Sequence, residues 1–223
     1  KEIWGFEDIE LLPLRLFVVA QKVGGQTLGA FDGDRMVGFL LAIPGLKQGL
    51  MYLHSHMMGV RPECRNTGLG RRMKLMQREE ALSRGIQHIE WTFDPLELKN
   101  AYFNIERLGA IVRRYVLNQY GTTTSRLHGG LPTDRCIAEW LIAGERVQAV
   151  VAGRPMPPVE VTARISVPAD IADIRERDPQ LAREIQSEIS CQFVEHFNRR
   201  LAVVGFENSP ETGTYLLGPW DSK

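Results

Sequence analysis

The sequence predicts an α+β fold, a three-layer sandwich in which helices flank a central mixed, mostly antiparallel sheet. Three observations carry this. Apolar runs at residues 28–31 and 36–44 flank Asp32-Gly33-Asp34-Arg35, where a glycine can take positive φ and close a hairpin, so antiparallel strands come first. Segments with helical apolar spacing then alternate with short strand-like runs. The 223 residues are 43% hydrophobic and 24% charged, which suits one ordinary core with a small annex rather than a disordered or fibrous chain.

Taken in order, residues 7–23 carry Ile9, Leu12, Leu16, Val19 and Val23 at helical spacing, with Pro13 dividing the segment and Gly24-Gly25 ending it. After the hairpin, residues 50–60 read as a third strand. Tyr52, His54, His56 and Met58 fall on one face and Leu53, Ser55 and Met57 on the other, with Gly59 as the place for a kink or bulge. Residues 68–83 form a helix with Leu69, Met73 and Met76 on one stripe, and residues 86–93 a strand. Asp94-Pro95 opens another helix, whose Leu98, Ala101, Tyr102, Ile105 and Leu108 mark one face until Gly109 stops it. Strands at 111–117 and 136–141 follow, joined by a Gly, Thr and Ser-rich connection. Beyond the Pro-rich residues 154–158 come a strand at 159–167 and a long helix from Pro179. In that helix Leu181, Ile185, Ile189, Phe193 and Phe197 recur every fourth residue, and residues 202–206 and 214–217 supply closing strands.

Twenty-seven basic and 27 acidic side chains cancel, so no global field draws the chain to nucleic acid or an anionic membrane, and neither is an expected partner. No apolar run approaches the roughly 18–20 residues of a membrane span. Cys64, Cys136 and Cys191 are odd in number and widely spaced, without CxxC or zinc-ligand spacing; no metal is expected, and the expected setting is a reducing cytoplasm. The opening Lys1-Glu2-Ile3-Trp4 lacks the features of a signal peptide. Charge is nevertheless uneven along the chain. Residues 61–84 hold seven Lys or Arg against three acids, whereas residues 169–188 hold six acids against three arginines.

The basic stretch contains the segment richest in chemistry, a strand end, a turn and a helix start from Val60 through Arg65-Asn66-Thr67-Gly68-Leu69-Gly70 to Arg71 and Arg72. A helix N-terminus presents unpaired N–H groups and partial positive charge, which suits a phosphate. Gly68 and Gly70 let the backbone come close to a pyrophosphate, and the arginines surround it with charge. A Rossmann GxGxxG and a P-loop GxxxxGK[ST] are both absent. The turn instead resembles the R/Q-x-x-G-x-G/A acyl-CoA motif of the GNAT superfamily of N-acyltransferases, with Val60 and Pro62 where that family commonly has V-x-P.

The resemblance spans residues 9–141 and implies the GNAT fold, with a first strand lying before Lys1 and an added C-terminal α/β segment. The expected domains are therefore a GNAT catalytic core at residues 1–143 and an extension at 144–223 that packs on the core or forms an interface. The resemblance further implies acetyl-CoA or another acyl-CoA as co-substrate. Backbone groups at Met58 and Val60 pair with its pantetheine arm, and Arg65, Asn66, Thr67, Gly68, Leu69, Gly70 and Arg71 hold its pyrophosphate. Asn100 and Asn104, one helical turn apart, are candidates for bonds to the pantetheine amides or the acceptor.

Amide formation from a thioester needs a base for the amine proton and N–H donors for the oxyanion. In GNAT branches with a glutamate base, that residue lies eleven positions before the motif; here the position is His54, and His56 is its rival two residues on. Imidazole, with an ordinary pKa of about 6.5, is a competent base near neutrality. The family's tyrosine acid lies four residues before the helix-ending glycine, but Ile105 occupies that position. Tyr102 on the same stripe is the substitute candidate, with a core tyrosine as the plainer alternative. Arg126, His128 and Arg135 are candidates for pairing with a carboxylate of acceptor or donor.

Residues 93–96, Asn100-Ala101, Asn104 and residues 130–135 together resemble a bacterial GNAT subfamily with a C-terminal extension. The expected function is transfer of an acyl group, acetyl in the first instance, from acyl-CoA to a primary amine of a small molecule or amino acid, by direct attack in a ternary complex. Succinyl transfer to an amino acid and a CoA-binding sensor without catalysis are the alternatives. The apolar repeat of the long C-terminal helix adds the expectation of an oligomer or partner interface, such as a homodimer.

Overall fold

The computed structural model describes residues 12–121 and 131–220. The chain gathers into two compact units. One runs up to Trp91 and includes Leu141–Gly144; the other comprises Thr92–Trp140 and the chain from Glu145 onward. The second unit joins residues 92–140 to the C-terminal extension. Across both, the described elements are nine strands and six helices in a mixed α+β arrangement.

In the first unit, α1 (Leu14–Lys22) leads into β1 (Gln26–Asp32) and β2 (Arg35–Lys47). These strands form the expected hairpin, with Asp32 paired to Arg35 and Gly33 at φ 57°. β2 pairs antiparallel with β3 (Leu50–Val60). β3 pairs in parallel with β4 (His88–Phe93) at Leu53↔Ile89 and His54↔Glu90, and the strand order is β1-β2-β3-β4. Leu40, Leu41, Ala42, Leu53 and Ile89 are fully buried and form the core of this unit. One sheet face meets α2 (Leu69–Ser83), close enough that a Cβ on Gly38 would stand 3.0 Å from the Met73 sulfur. The other meets α1, where the Phe17 and Phe39 rings lie 6.0 Å apart.

The β2–β3 register slips by one residue: Leu41 pairs with Met57 but Ala42 pairs with Ser55, leaving His56 bulged. The bulge therefore sits at His56, three residues before the Gly59 expected to host it. An extra residue inverts the alternation beyond it. Ser55 and Met58, opposite Ala42 and Leu40, share the α2 face, while His54 and Met57, opposite Ile43 and Leu41, share the α1 face. The expected single face of Tyr52, His54, His56 and Met58 is thus corrected, for Met58 lies on the side away from His54.

In the second unit, α3 (Leu98–Tyr102) runs into one π-type turn over Phe103–Arg107 and ends at Gly109, whose φ of 77° favours glycine. The elements that follow are β5 (Ile111–Val116), β6 (Arg135–Leu141), α4 (Glu145–Val151), β7 (Ala163–Pro168), α5 (Ile171–Arg177), α6 (Pro179–Asn198), β8 (Leu201–Asn208) and β9 (Thr212–Pro219). The strands lie in the order β6-β5-β8-β9-β7, all paired antiparallel, so the extension adds three strands beside β5.

Pro179 opens α6 and the Asp178 carboxylate accepts from the Leu181 N–H at 3.0 Å, which gives the helix a sharp start. Its buried face is Ala182, Gln186, Ile189, Ser190 and Phe193, with Leu181 40% exposed. Phe193 stacks on Tyr115 at 5.0 Å and meets Tyr215 edge-on at 5.1 Å, so this part of the apolar face packs inside the unit. The extension also clamps the segment before α3. Buried Arg175 donates to Asp94 Oδ2 and Glu97 Oε1, both at 2.9 Å; Asp94 Oδ1 accepts from Leu96 N at 2.8 Å; the Tyr215 hydroxyl donates to the Pro95 carbonyl at 2.6 Å. Among the described residues no helix is long and apolar enough to cross a membrane.

Candidate active site

Beyond β3 the chain makes a 3-10 turn at Pro62–Cys64 and then the turn that resembles the acyl-CoA motif. This turn is held by its own polar atoms. Arg65 Nε donates to the Val60 carbonyl at 3.3 Å and Thr67 Oγ1 to the Cys64 carbonyl at 2.7 Å. Asn66 and Gly68 take left-handed conformations at φ 61° and 84°. Gly68 is the N-cap of α2 and no side chain caps the helix, so its first N–H groups face outward. A Cβ added at Gly68 would meet nothing within 4 Å, so the backbone here borders open space. Arg65 and Arg72 are exposed and Arg71 half-buried beside it. A bare helix N-terminus, a side-chain-free approach and three arginines fit a pyrophosphate. Gly68→Ala is expected to destabilise the fold by about 1–2 kcal/mol through its left-handed backbone alone. It should also weaken acetyl-CoA binding, a pair of effects that denaturant titration and calorimetry would separate.

The strand leading into this turn provides a slot. Among the described residues β3 pairs with β4 at Leu53 and His54, and from Ser55 to Val60 its described ladder partners are on β2. Met58 and Val60 lie on this stretch, paired to β2 and beyond the described β4 ladder, where sequence reasoning placed the pantetheine arm. His54 is half-buried and His56 exposed, with ring centroids 6.1 Å apart, so the bulge keeps the two imidazoles neighbours. Desolvation by the surrounding protein lowers the His56 pKa below the ordinary value, which leaves the ring neutral at pH 7.

Beneath the slot lies a polar cluster that sequence reasoning missed. Lys74 of α2, 2% exposed, donates to Ser55 Oγ at 3.0 Å and Gln77 Oε1 at 2.9 Å, and its ammonium stands 3.6 Å from the centre of the Trp91 ring. Gln26 Nε2 donates to the Gln77 carbonyl at 3.0 Å and to Glu80. A lysine among Met73, Met76 and arginines reads as a surface residue; only the pairing of Ser55 with the α2 face reveals it. Burial pushes its pKa well below 10.5. The unfolded chain then binds more protons than the folded one between the lowered pKa and 10.5, so this residue makes stability rise with pH through that window. Lys74→Met should flatten that slope in urea midpoints measured from pH 7 to 10.

The remaining candidates fall in the second unit. Tyr102 is 39% exposed, which overturns the core-tyrosine reading: the buried stripe of the helix is Ala101, Asn104, Ile105 and Leu108, and Tyr102 lies at its margin. Asn104 is buried and donates to Asn100 Oδ1 at 3.3 Å, while Asn100 is exposed. Arg135 is not a surface loop arginine but the first residue of β6. It is 7% exposed, donates to the Asp134 carbonyl at 2.9 Å and lies over the Tyr120 ring. Arg126 and His128 lie outside the described residues.

Residues 3–109 match the model of the acetyltransferase (GNAT) family. Among solved structures, the chain is similar to Arabidopsis thaliana Naa50 in complex with the bisubstrate analogue CoA-Ac-MVNAL, at 18% identity and a TM-score of 0.47 over 59% of this chain and 85% of that one. The ribosomal-protein-S18-alanine N-acetyltransferase from Escherichia coli gives 21% identity and a TM-score of 0.46 over 61% and 83%. A GNAT family acetyltransferase from Elizabethkingia anophelis with acetyl-CoA bound gives 12% and 0.46 over 58% and 83%. No curated protein matches the sequence. The turn at residues 65–70 lies inside this domain match, so residues 3–109 carry a GNAT-family acetyltransferase domain.

Proposed function

We propose that the protein transfers an acyl group, acetyl in the first instance, from acyl-CoA to a primary amine of a small molecule or amino acid. The observation that carries this reading is the continuity, within one unit, of the phosphate-fitting turn at Gly68, the stretch of β3 beyond its described β4 ladder and the adjoining His54–His56 pair.

In this reading the N–H groups at the head of α2 and the flanking arginines hold the pyrophosphate, while the free edge of β3 aligns the pantetheine arm. His54 or His56 accepts a proton from the acceptor ammonium, directly or through water, so that nitrogen attacks the thioester carbonyl. Backbone N–H groups along the free edge of β3 stabilise the oxyanion. The new N–C bond replaces the C–S bond, CoA leaves as a thiolate, and the second proton that the nitrogen sheds on becoming an amide passes to that thiolate or to water. With a thiol pKa of about 8.5, that leaving group needs little help from an acid, which accommodates Ile105 in place of a tyrosine. In this reading attack is direct, since Cys64 sits in the phosphate turn.

Free thiol release from acetyl-CoA, followed with a panel of amino acids and small amines, tests the proposal. Turnover that depends on a specific amine supports it. Tight acetyl-CoA binding with no amine-dependent turnover would favour the sensor alternative instead.

A further inference from the structure

We infer that Lys74 is a positioning residue of the acyl-donor slot: from α2 it ties Ser55 on β3 to the Trp91 ring on β4 and so sets the width of the slot. The inference rests on the donor-site reading above. The β3–β4 ladder ends at His54↔Glu90, and Ser55 and Trp91 are the next residues on the two strands. Past that point the described ladder between the two strands stops. Lys74 supplies a connection, with Ser55 Oγ at 3.0 Å and the Trp91 ring centre at 3.6 Å, and it also donates to Gln77 of the same helix at 2.9 Å.

A methionine or leucine would fill this volume without the cost of burying an ammonium group. The lysine, unlike either, reaches a hydroxyl on one strand and a ring on the other, as a site held open at a fixed width requires. The same helix begins at Gly68, six residues and about 9 Å along the axis from Lys74. One rigid element thus carries both the phosphate end of the site and the tie at the closed end of the slot.

The two ends can be tested apart by calorimetry with acetyl-CoA, which reaches both, and with adenosine 3′,5′-bisphosphate, which reaches the phosphate end only. Lys74→Met is expected to weaken acetyl-CoA at least tenfold while the bisphosphate binds within twofold of the wild type. Ser55→Ala and Trp91→Phe, milder changes that serve if Lys74→Met does not fold, should shift the same ratio in the same direction. Parallel losses for both ligands, or acetyl-CoA binding within twofold in all the folded variants, would overturn the inference while leaving the donor site standing. A wild type that binds neither ligand would remove the donor-site reading itself.

Discussion

Alanine at both His54 and His56 is expected to lower the amine-dependent acyl-transfer rate by about 10²–10⁴-fold, the usual contribution of a positioned base, with acetyl-CoA affinity little changed. The pH profile identifies which ring acts. A base must be neutral to accept the amine proton, so the rate falls in acid as the ring protonates. Because desolvation holds the His56 pKa below 6.5, the acid limb should lie below that pH if His56 is the base, and His56→Ala should abolish the limb while His54→Ala keeps it. The reverse pattern assigns the role to His54. Wild-type rates and an unchanged profile in both single variants and the double variant would remove the histidines from the mechanism.

Arg175→Ala is expected to destabilise the protein by about 3–5 kcal/mol, since it strips a buried cationic partner from the buried Asp94 carboxylate. Urea unfolding reads this directly. Arg175→Lys should recover only part of the loss, because one ammonium cannot reproduce the fork that reaches Asp94 and Glu97 together. A loss below about 1 kcal/mol in Arg175→Ala would mean that Asp94 is compensated from elsewhere. The large expected effect also states what the C-terminal extension does for its own unit: it fixes the segment 94–97 that precedes α3.

Features encoded within a few neighbouring residues were legible in the sequence. The hairpin at Asp32–Arg35, the turn from Arg65 to Gly70 and the start of α6 at Asp178-Pro179 depend on local φ preferences and capping, and all stand where expected. What depends on register was not. The alternation of β3 looked regular because nothing within Leu50–Val60 marks His56 as bulged; the slip appears only when β2 is laid against it. Tyr102 sat on a 3.6-residue stripe, but the buried side of its helix runs through Asn104, a polar residue the apolar pattern could not count. The short helices α4 and α5 lack enough turns to show a period. Lys74 and Ser55 are 19 residues apart and Arg175 and Asp94 are 81 apart, so both buried charges depend on tertiary pairing that no local pattern carries.

The central claim is that the turn at Gly68 and the free edge of β3 bind acyl-CoA, and thermal denaturation with and without acetyl-CoA tests it most directly. At a ligand concentration 100-fold above the dissociation constant, stabilisation should reach about 2.7 kcal/mol, a rise in Tm of roughly 5–10 °C for a chain of this size. Gly68→Val should lose most of that rise. No shift with millimolar acetyl-CoA, or the same shift in wild type and Gly68→Val, would contradict the account.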